Sequence, residues 1–191
     1  MQNAFCSPTG SFARLGYDMR GCIDAIPGCV RALAIARRAE IPVVFVTYAY
    51  QPGYSDGGYL VRSIHPEVES VGALLRGTSD VRVVDNLTPL EGELMIVKNR
   101  YSAFMGTGLG EILRSREITS LTICGVTTNV CVESTVRDAA QLDFEVTVAS
   151  DATGEIDDER GRVALRSIEH ACGRVLTVDE IGVEWNEAAS R

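Results

Sequence analysis

Short apolar runs of strand length alternate with stretches of helical periodicity along most of the chain. Residues 43–48, Val-Val-Phe-Val-Thr-Tyr, form a run that is typical of a parallel strand buried on both faces. Similar patterns predict a short edge strand at 81–84, strands at 94–97, 120–124, 144–149 and 174–178, and helices at 26–38, 109–113, 130–139 and 163–171. Because alternating strands and helices form a parallel sheet covered on both faces, the order predicts a three-layer, doubly wound, mostly parallel α/β fold.

Length and charge narrow the class of protein. The 191 residues suit one domain, which we place at residues 1–191. A formal net charge of −8 argues against nucleic acid or an anionic membrane as a partner. The sequence has no apolar run of membrane-spanning length and no charged-then-apolar leader at its N-terminus, so we expect a cytoplasmic protein.

The cysteines and histidines favour neither a disulfide framework nor a metal site. The six cysteines are irregularly spaced and include no C-x-x-C pair, and the two histidines, His65 and His170, lie far apart in the sequence. Disulfide-rich domains and zinc sites have closer and more regular spacings. We therefore expect no metal and no cofactor.

Cys131 follows a predicted strand at the point where the pattern turns helical. The apolar run 120–124 ends at Gly125, and helical spacing begins at Val130. The residues that could cap this helix are Thr127, Thr128 and Asn129. In the first turn, Cys131 would lie beside unsatisfied N–H groups and the positive end of the helix dipole, which favour a thiolate and can stabilise an oxyanion. The position predicts a nucleophile, with simple packing of a half-buried thiol as the alternative.

Lys98 stands at the carboxyl end of the predicted strand 94–97, and Cys131 follows the strand 120–124. Ligands of open α/β sheets bind beyond the carboxyl ends of the strands, so we expect the two side chains to converge on one pocket. A partly buried ammonium group there would need an anionic partner, whereas a solvated lysine would need none.

Two longer segments are predicted to be loops. Residues 1–20 include the turn sequence Ser-Pro-Thr-Gly-Ser at 7–11. The segment 49–68 is rich in Tyr, Gly, Pro and Ser, and a loop of this length is usually functional. The tyrosines in and before it either line a substrate pocket or pack the loop against the domain: Tyr48, Tyr50, Tyr54 and Tyr59.

Three segments resemble the isochorismatase-like cysteine hydrolases. Residues 125–139, Gly-Val-Thr-Thr-Asn-Val-Cys-Val-Glu-Ser-Thr-Val-Arg-Asp-Ala, are similar to the nucleophile segment of that family. Residues 98–104, Lys-Asn-Arg-Tyr-Ser-Ala-Phe, resemble its catalytic-lysine segment. Residues 1–5, Met-Gln-Asn-Ala-Phe, resemble the residues that follow its catalytic aspartate. The resemblance therefore extends over most of the chain.

The resemblance implies a triad of aspartate, lysine and cysteine, in which the aspartate is the base toward the thiol and Lys98 and Cys131 are the other members. It also implies a cis peptide bond between Val126 and Thr127, and an oxyanion hole formed by the N–H groups of Thr127 and Cys131. The segments look most like the branch that acts on ureido or carbamoyl groups, which includes ureidoacrylate amidohydrolase, biuret hydrolase and N-carbamoylsarcosine amidase.

These likenesses imply the hydrolysis of a small amide or ureido C–N bond through a covalent cysteine intermediate, with release of ammonia. Tyr101, Tyr48 and Asn129 are candidates for contacts with the small-molecule substrate, although Tyr101 could equally brace Lys98. The resemblance also implies a homodimer or a homotetramer.

One departure from the family pattern concerns the catalytic aspartate, which would stand immediately before Met1 at the end of the first strand. Neither the aspartate nor an apolar strand is present there, and in the doubly wound order that strand lies at the centre of the sheet. We expect an N-terminally truncated chain, because residues 1–5 keep the segment that follows the aspartate. The alternative is a catalytically inactive homologue that binds a small ligand or a partner.

Overall fold

The computed structural model describes residues 1–189, in which five parallel strands alternate with helices. The strands are β1 Val44–Tyr48, β2 Leu94–Lys98, β3 Ser120–Val126, β4 Glu145–Gly154 and β5 Arg174–Leu176. The α-helices are α1 Asn3–Cys6, α2 Ser11–Arg14, α3 Arg20–Asp24, α4 Ile26–Arg38, α5 Glu67–Ser70, α6 Leu109–Ser115, α7 Glu133–Gln141, α8 Asp158–Ala171 and α9 Val178–Ala189. Shorter 3₁₀ turns lie at Pro52–Tyr54, Ser79–Val81 and Asp85–Leu87, and π turns at Leu60–Ile64 and Thr128–Val132.

The strands form two half-sheets. β1 pairs with β2, from Val44 opposite Leu94 to Tyr48 opposite Lys98. β4 pairs with β3 along one edge and with β5 along the other. Within residues 1–189 no strand pairs with the second edge of β1 or of β3, so the two half-sheets are not joined by backbone hydrogen bonds between strands.

A cavity of about 100 Å³ lies between the free edges of β1 and β3, and we call it the inter-sheet slot. Its walls include Val46 and Tyr48 of β1, residues 123–126 of β3, and Met1 and Gln2. Gln2 completes the backbone hydrogen bonding of Tyr48, because its Oε1 accepts the N–H at 2.7 Å and its Nε2 donates to the carbonyl at 2.9 Å. A side chain thus satisfies backbone groups that a neighbouring strand could otherwise pair.

Helices cover both faces of β4, which is the central strand of its half-sheet. Val148 packs in a cluster with Val136 of α7 and Ile168 of α8. The next residue, Ala149, packs on the opposite face in a cluster that includes Cys29 of α4. This arrangement confirms the predicted α/β fold with a parallel sheet between two helical layers. The missing central strand and the single domain over residues 1–191 stay predictions.

The predicted edge strand at 81–84 is wrong. The chain there forms a 3₁₀ turn followed by a single antiparallel bridge at Val83. The cause is Asp80, whose buried carboxylate accepts hydrogen bonds from the N–H and hydroxyl of Ser11 and from the N–H of Leu74. These contacts hold the chain in a turn, and a β-branched run cannot reveal them.

The prediction of a loop over residues 1–20 is wrong where α1 and α2 form. Hydrogen bonds to the Asp80 turn hold these short helices, rather than any helical periodicity of their own. The last strand ends at Leu176, two residues before its predicted end, and the helix α9 that follows was not predicted. Thr177 and Glu180 begin α9 with reciprocal side-chain-to-backbone hydrogen bonds, as in a capping box. No helix within residues 1–189 is long and apolar enough to cross a membrane.

Candidate active site

Cys131 lies in a helical turn that follows β3 directly. Gly125 has a φ of 123°, a value that residues with side chains rarely adopt. The peptide bond between Val126 and Thr127 is cis. The chain then forms the π turn Thr128–Val132, which continues into α7. The half-buried Cys131 therefore lies beyond the carboxyl end of a parallel strand.

The cap of this turn comes from a residue far along the chain. Thr127, one of the three predicted caps, lies at the N-cap position but makes no side-chain capping hydrogen bond. Glu155, between β4 and α8, supplies the acceptor instead. Its Oε2 accepts the N–H of Asn129 at 3.0 Å, and its Oε1 accepts the N–H of Ile156 at 2.9 Å. A carboxylate here also interacts favourably with the positive end of the helical turn.

Glu155 is not among the residues predicted from the sequence, because β4 extends to Gly154, five residues beyond the predicted end at 149. Polar residues interrupt the apolar pattern in this extension, and they are Ser150, Asp151 and Thr153. Their partners are tertiary: the Asp151 carboxylate, for example, accepts the N–H of Val178 at 2.8 Å. An acid placed just after the real carboxyl end of a parallel strand was the available signal.

Lys98 is a buried cation without an anionic partner among the described residues. It ends β2 and is 7% exposed. Its Nζ donates a hydrogen bond to the carbonyl of Tyr101 and lies 5.7 Å from the centre of the Tyr48 ring. No carboxylate of residues 1–189 pairs with it. Burying an ammonium group without an opposite charge is costly, so the site calls for an anion near Nζ.

A second cavity, of about 300 Å³, opens beside Cys131, and we call it the substrate pocket. Much of its wall is aromatic, and the rings belong to Phe5, Phe12, Tyr17, Tyr48, Tyr50 and Tyr101. Its polar lining includes Thr127, Asn129, Glu155, Arg160 and His65. A concave, mostly apolar pocket with a few polar groups is the usual form of a small-molecule site.

Cys131 stands between the two cavities, because it lines both the substrate pocket and the inter-sheet slot. Lys98 lines the slot but not the pocket. The residues predicted for substrate contact, Tyr48, Tyr101 and Asn129, all line the pocket, as does Thr127. The structure therefore brings the predicted site residues to one end of the sheet, with Lys98 in the wall of the slot and not in that of the pocket.

The tyrosines of the loop 49–68 divide between the two alternatives. Tyr50 lines the pocket, and its hydroxyl lies 2.7 Å from that of Tyr48, which in turn donates to the carbonyl of Asn99 at 3.1 Å. Burial raises the pKa of Tyr48 far above its usual range, so the phenol stays protonated. Tyr54 instead packs the loop, and its hydroxyl donates to the carbonyl of Ala73 at 2.7 Å. Tyr59 is exposed and does not line the pocket.

No group of three or more His, Cys, Asp or Glu side chains in the described part of the chain is arranged to hold a metal ion. The parallel α/β fold, the cysteine at the turn after β3 and the lysine at the carboxyl end of β2 define an α/β enzyme with a cysteine as its candidate nucleophile. A sequence profile described as "Isochorismatase domain" matches residues 1–180. The chain belongs to this isochorismatase family, which confirms the family predicted from the sequence.

Sequence comparison with individual members of the family identifies relatives with a named activity. The chain is 36% identical over 192 residues to the ureidoacrylate amidohydrolase RutB of Pseudomonas syringae pv. syringae (strain B728a), covering 94% of this chain and 78% of that protein. It is 35% identical over 201 residues to RutB of Caulobacter vibrioides (strain ATCC 19089 / CIP 103742 / CB 15), with 99% and 89% covered.

Solved structures agree with this placement. A cysteine hydrolase from Pseudomonas syringae pv. phaseolicola 1448A matches with a TM-score of 0.89 at 30% identity, covering 99% of this chain and 90% of that one. N-carbamoylsarcosine amidase from Thermoplasma acidophilum matches with a TM-score of 0.73 at 25% identity, with 94% and 92% covered. The predicted likeness to the ureidoacrylate and N-carbamoylsarcosine branch is confirmed.

Proposed function

We propose that this amidohydrolase of the isochorismatase family cleaves a small ureido or carbamoyl compound and releases ammonia, with Cys131 as the covalent nucleophile. The position of Cys131 carries the proposal. It lines a pocket of about 300 Å³ on one side and, on the other, the slot that holds Lys98. A thiol in that position can reach a substrate carbon in the pocket, and the Lys98 ammonium in the slot can balance the negative charge of the thiolate.

The pocket and the named relatives support a ureido carboxylate as substrate. Relatives at about 35% identity are named ureidoacrylate amidohydrolases. The exposed Arg160 lines the pocket and pairs with no acid of residues 1–189. A guanidinium with a free fork suits a carboxylate. The aromatic wall suits the planar ureido group.

The proposed reaction has two covalent steps. The thiolate of Cys131 attacks the carbamoyl carbon, and the N–H groups of Thr127 and Cys131 accommodate the oxyanion. The C–N bond then breaks, and the nitrogen takes up a proton and leaves as ammonia. Water attacks the remaining thioester-like intermediate, the C–S bond breaks, and the thiol recovers its proton. The sum is one water consumed and one ammonia released.

The base in this scheme is an aspartate at the end of a parallel strand that joins the chain ahead of Met1 and pairs with the free edges of β1 and β3. Because the present slot is only about 100 Å³, the two edges must separate to admit the strand. Two observations support this. β1 and β3 each present an edge that no strand of residues 1–189 pairs, and Lys98 lines the slot without a counter-charge. An aspartate there would neutralise Lys98 and stand near the thiol of Cys131.

An ammonia-release assay tests the proposal. N-carbamoyl-β-alanine, ureidoacrylate, biuret and nicotinamide are each incubated with the 191-residue chain and with a chain extended by an apolar strand ending in aspartate before Met1. We expect ammonia from the ureido compounds with the extended chain. If neither chain releases ammonia from any of the ureido compounds, the proposed reaction is refuted, and the non-catalytic ligand binder is the alternative to test next. Homo-oligomeric assembly and a cytoplasmic location stay predictions.

A further inference from the structure

Glu155 and Asn129 place two hydrogen-bond acceptors at the wall of the substrate pocket. Glu155 is 6% exposed and forms no ion pair with a cation of the described residues. Oδ1 of Asn129 is buried and has no hydrogen-bond partner among residues 1–189. Both acceptors therefore belong to residues of the pocket wall, and the buried Oδ1 of Asn129 has no donor among the described residues.

The hydrogen bonds of Glu155 leave some of the acceptor sites of its carboxylate unused. A carboxylate offers about four acceptor sites on its two oxygens. Each oxygen of Glu155 accepts one backbone N–H, from Asn129 and from Ile156. Buried acceptors in proteins are nearly always satisfied, and an unsatisfied one calls for an explanation. A donor on the ligand would supply it for both residues.

We infer that Glu155 and Asn129 form a subsite that binds the terminal NH₂ group of a carbamoyl or primary amide substrate. This inference rests on the proposed function and adds the residues that select the leaving group. An NH₂ group has two donors, one for each residue, and the second bond requires the Asn129 side chain to turn its buried Oδ1 toward the pocket. Asn129 stands two positions before Cys131 in the same turn, so the subsite adjoins the nucleophile. Glu155 thus both positions that turn and selects substrates that release ammonia.

The same subsite rejects a substrate without N–H donors at this position. An acetyl or ester group presents a methyl or an oxygen where the carbamoyl group presents NH₂. Binding such a group would leave both acceptors unpaired, and sites built around hydrogen bonds discriminate strongly against analogues that lack them. Selection therefore depends on what the ligand donates and not on its size.

Two ligands that differ only at this position test the inference. N-carbamoyl-β-alanine carries NH₂ on the acyl carbon, and N-acetyl-β-alanine carries CH₃ there. Their dissociation constants are measured by calorimetry on the Cys131→Ala chain, which prevents turnover. We expect the carbamoyl compound to bind about 10- to 100-fold more tightly, as for hydrogen bonds to a charged acceptor. This ratio is the carbamoyl preference.

Further substitutions in the Cys131→Ala chain test which side chains cause the carbamoyl preference. Glu155→Gln should lower it to about 3-fold or less, because it removes the charge and half of the acceptor oxygens. Glu159→Gln is the matched control: it makes the same change of charge on an exposed side chain outside the pocket and should keep the full preference. Asn129→Ala leaves the backbone N–H for Glu155 in place and should lower the preference severalfold.

Several results would overturn the inference. These are a carbamoyl preference near 1 in Cys131→Ala, no measurable binding of either ligand, or an unchanged preference in Glu155→Gln. If Glu155→Gln weakens the binding of both ligands equally, the preference is unchanged, and Glu155 only positions the Cys131 turn. If Glu155→Gln does not unfold cooperatively, Asn129→Ala decides, and an unchanged preference there overturns the proposal. Absence of ammonia release, with the preference intact, would refute the proposed reaction and leave the subsite standing.

Discussion

The two half-sheets support the two halves of the candidate site in different ways. β4 is hydrogen-bonded along both edges, and its Val148 and Ala149 are fully buried. β1 has a neighbour along one edge only within residues 1–189, and β2 exposes Met95 and Val97. Cys131 follows the three-stranded half-sheet, and Lys98 ends the two-stranded one. The nucleophile thus follows a strand with one free edge, but the neighbour of that strand, β4, is paired along both edges.

The difference extends from packing to electrostatics. Glu155, at the end of β4, holds the Cys131 turn through the N–H of Asn129, so this contact lies within the three-stranded half. The ammonium of Lys98 faces a backbone carbonyl and the ring of Tyr48, and no carboxylate of the described residues. The geometry of the nucleophile is therefore set locally, whereas the electrostatics of Lys98 depend on what occupies the slot.

The largest expected effect is the loss of turnover in Cys131→Ala. In a chain that releases ammonia, this change should lower kcat by at least about 10³-fold, because no other group can form the covalent intermediate. Cys172→Ala is the control, since Cys172 is a half-buried thiol outside both cavities. Iodoacetamide should also label Cys131 before the three buried cysteines, Cys6, Cys22 and Cys29, as read by mass spectrometry of peptides. Wild-type turnover in Cys131→Ala would refute the assignment.

Lys98→Met sharpens the comparison, because the sign of its effect on stability reports what the slot contains. In the 191-residue chain, Met in place of an unpaired buried cation should raise the free energy of unfolding by about 1–3 kcal/mol. In a chain extended by a strand ending in aspartate, the same change leaves a buried carboxylate unpaired. It should then lower the free energy of unfolding by about 3–5 kcal/mol.

Urea unfolding of both chains, with and without Lys98→Met, measures these four values. Arg116→Met is a suitable control, because Arg116 is an exposed cation outside both cavities. Opposite signs in the two chains would show that the slot holds the counter-charge of Lys98. The same sign in both would contradict the placement of the aspartate in the slot.

The sequence predicted those parts of the site that follow from position along a strand. Cys131 and Lys98 could be found because each stands where an apolar run ends, and the carboxyl ends of parallel strands meet at one edge. Glu155 could not be found in the same way, because tertiary partners hold the polar end of β4 in the sheet, such as the N–H of Val178 on Asp151. The Asp80 turn escaped prediction for the same reason, since its donors lie at Ser11 and Leu74.

A smaller effect compares how tightly β4 and β1 are packed, through the loss of unfolding free energy when a valine in each is shortened. Val148→Ala removes two methyl groups from a fully buried site of β4 and should cost about 2–3 kcal/mol of unfolding free energy. Val46→Ala makes the same change in β1, where Val46 is half-buried and faces the slot, and should cost about 1 kcal/mol or less. Denaturant unfolding of both variants gives the difference. Equal losses would mean that the free edge of β1 is as well packed as β4.

The smallest expected effect concerns an ion pair that links the layers of the two half-sheets. Arg37 lies in the last turn of α4, which packs on β4. Both oxygens of Glu93, just before β2, accept hydrogen bonds from its guanidinium at 2.8 Å. The Arg37 guanidinium lowers the pKa of Glu93 below its ordinary 4.5. Because the folded pKa is the lower one, the pair stabilises the fold above pH 4.5, and this contribution is lost as the pH falls through the folded value.

Glu93→Gln should therefore cost about 1 kcal/mol or less at pH 7, since the pair is only partly buried. The variant and the wild type should converge as the pH is lowered below 4.5. Glu91→Gln, an exposed acid without an ion pair among the described residues, should match the wild type at every pH. Urea unfolding at a series of pH values measures the three curves. A gap between Glu93→Gln and wild type that widens toward low pH would contradict the sign of the linkage, and with it the role of this pair in joining the layers.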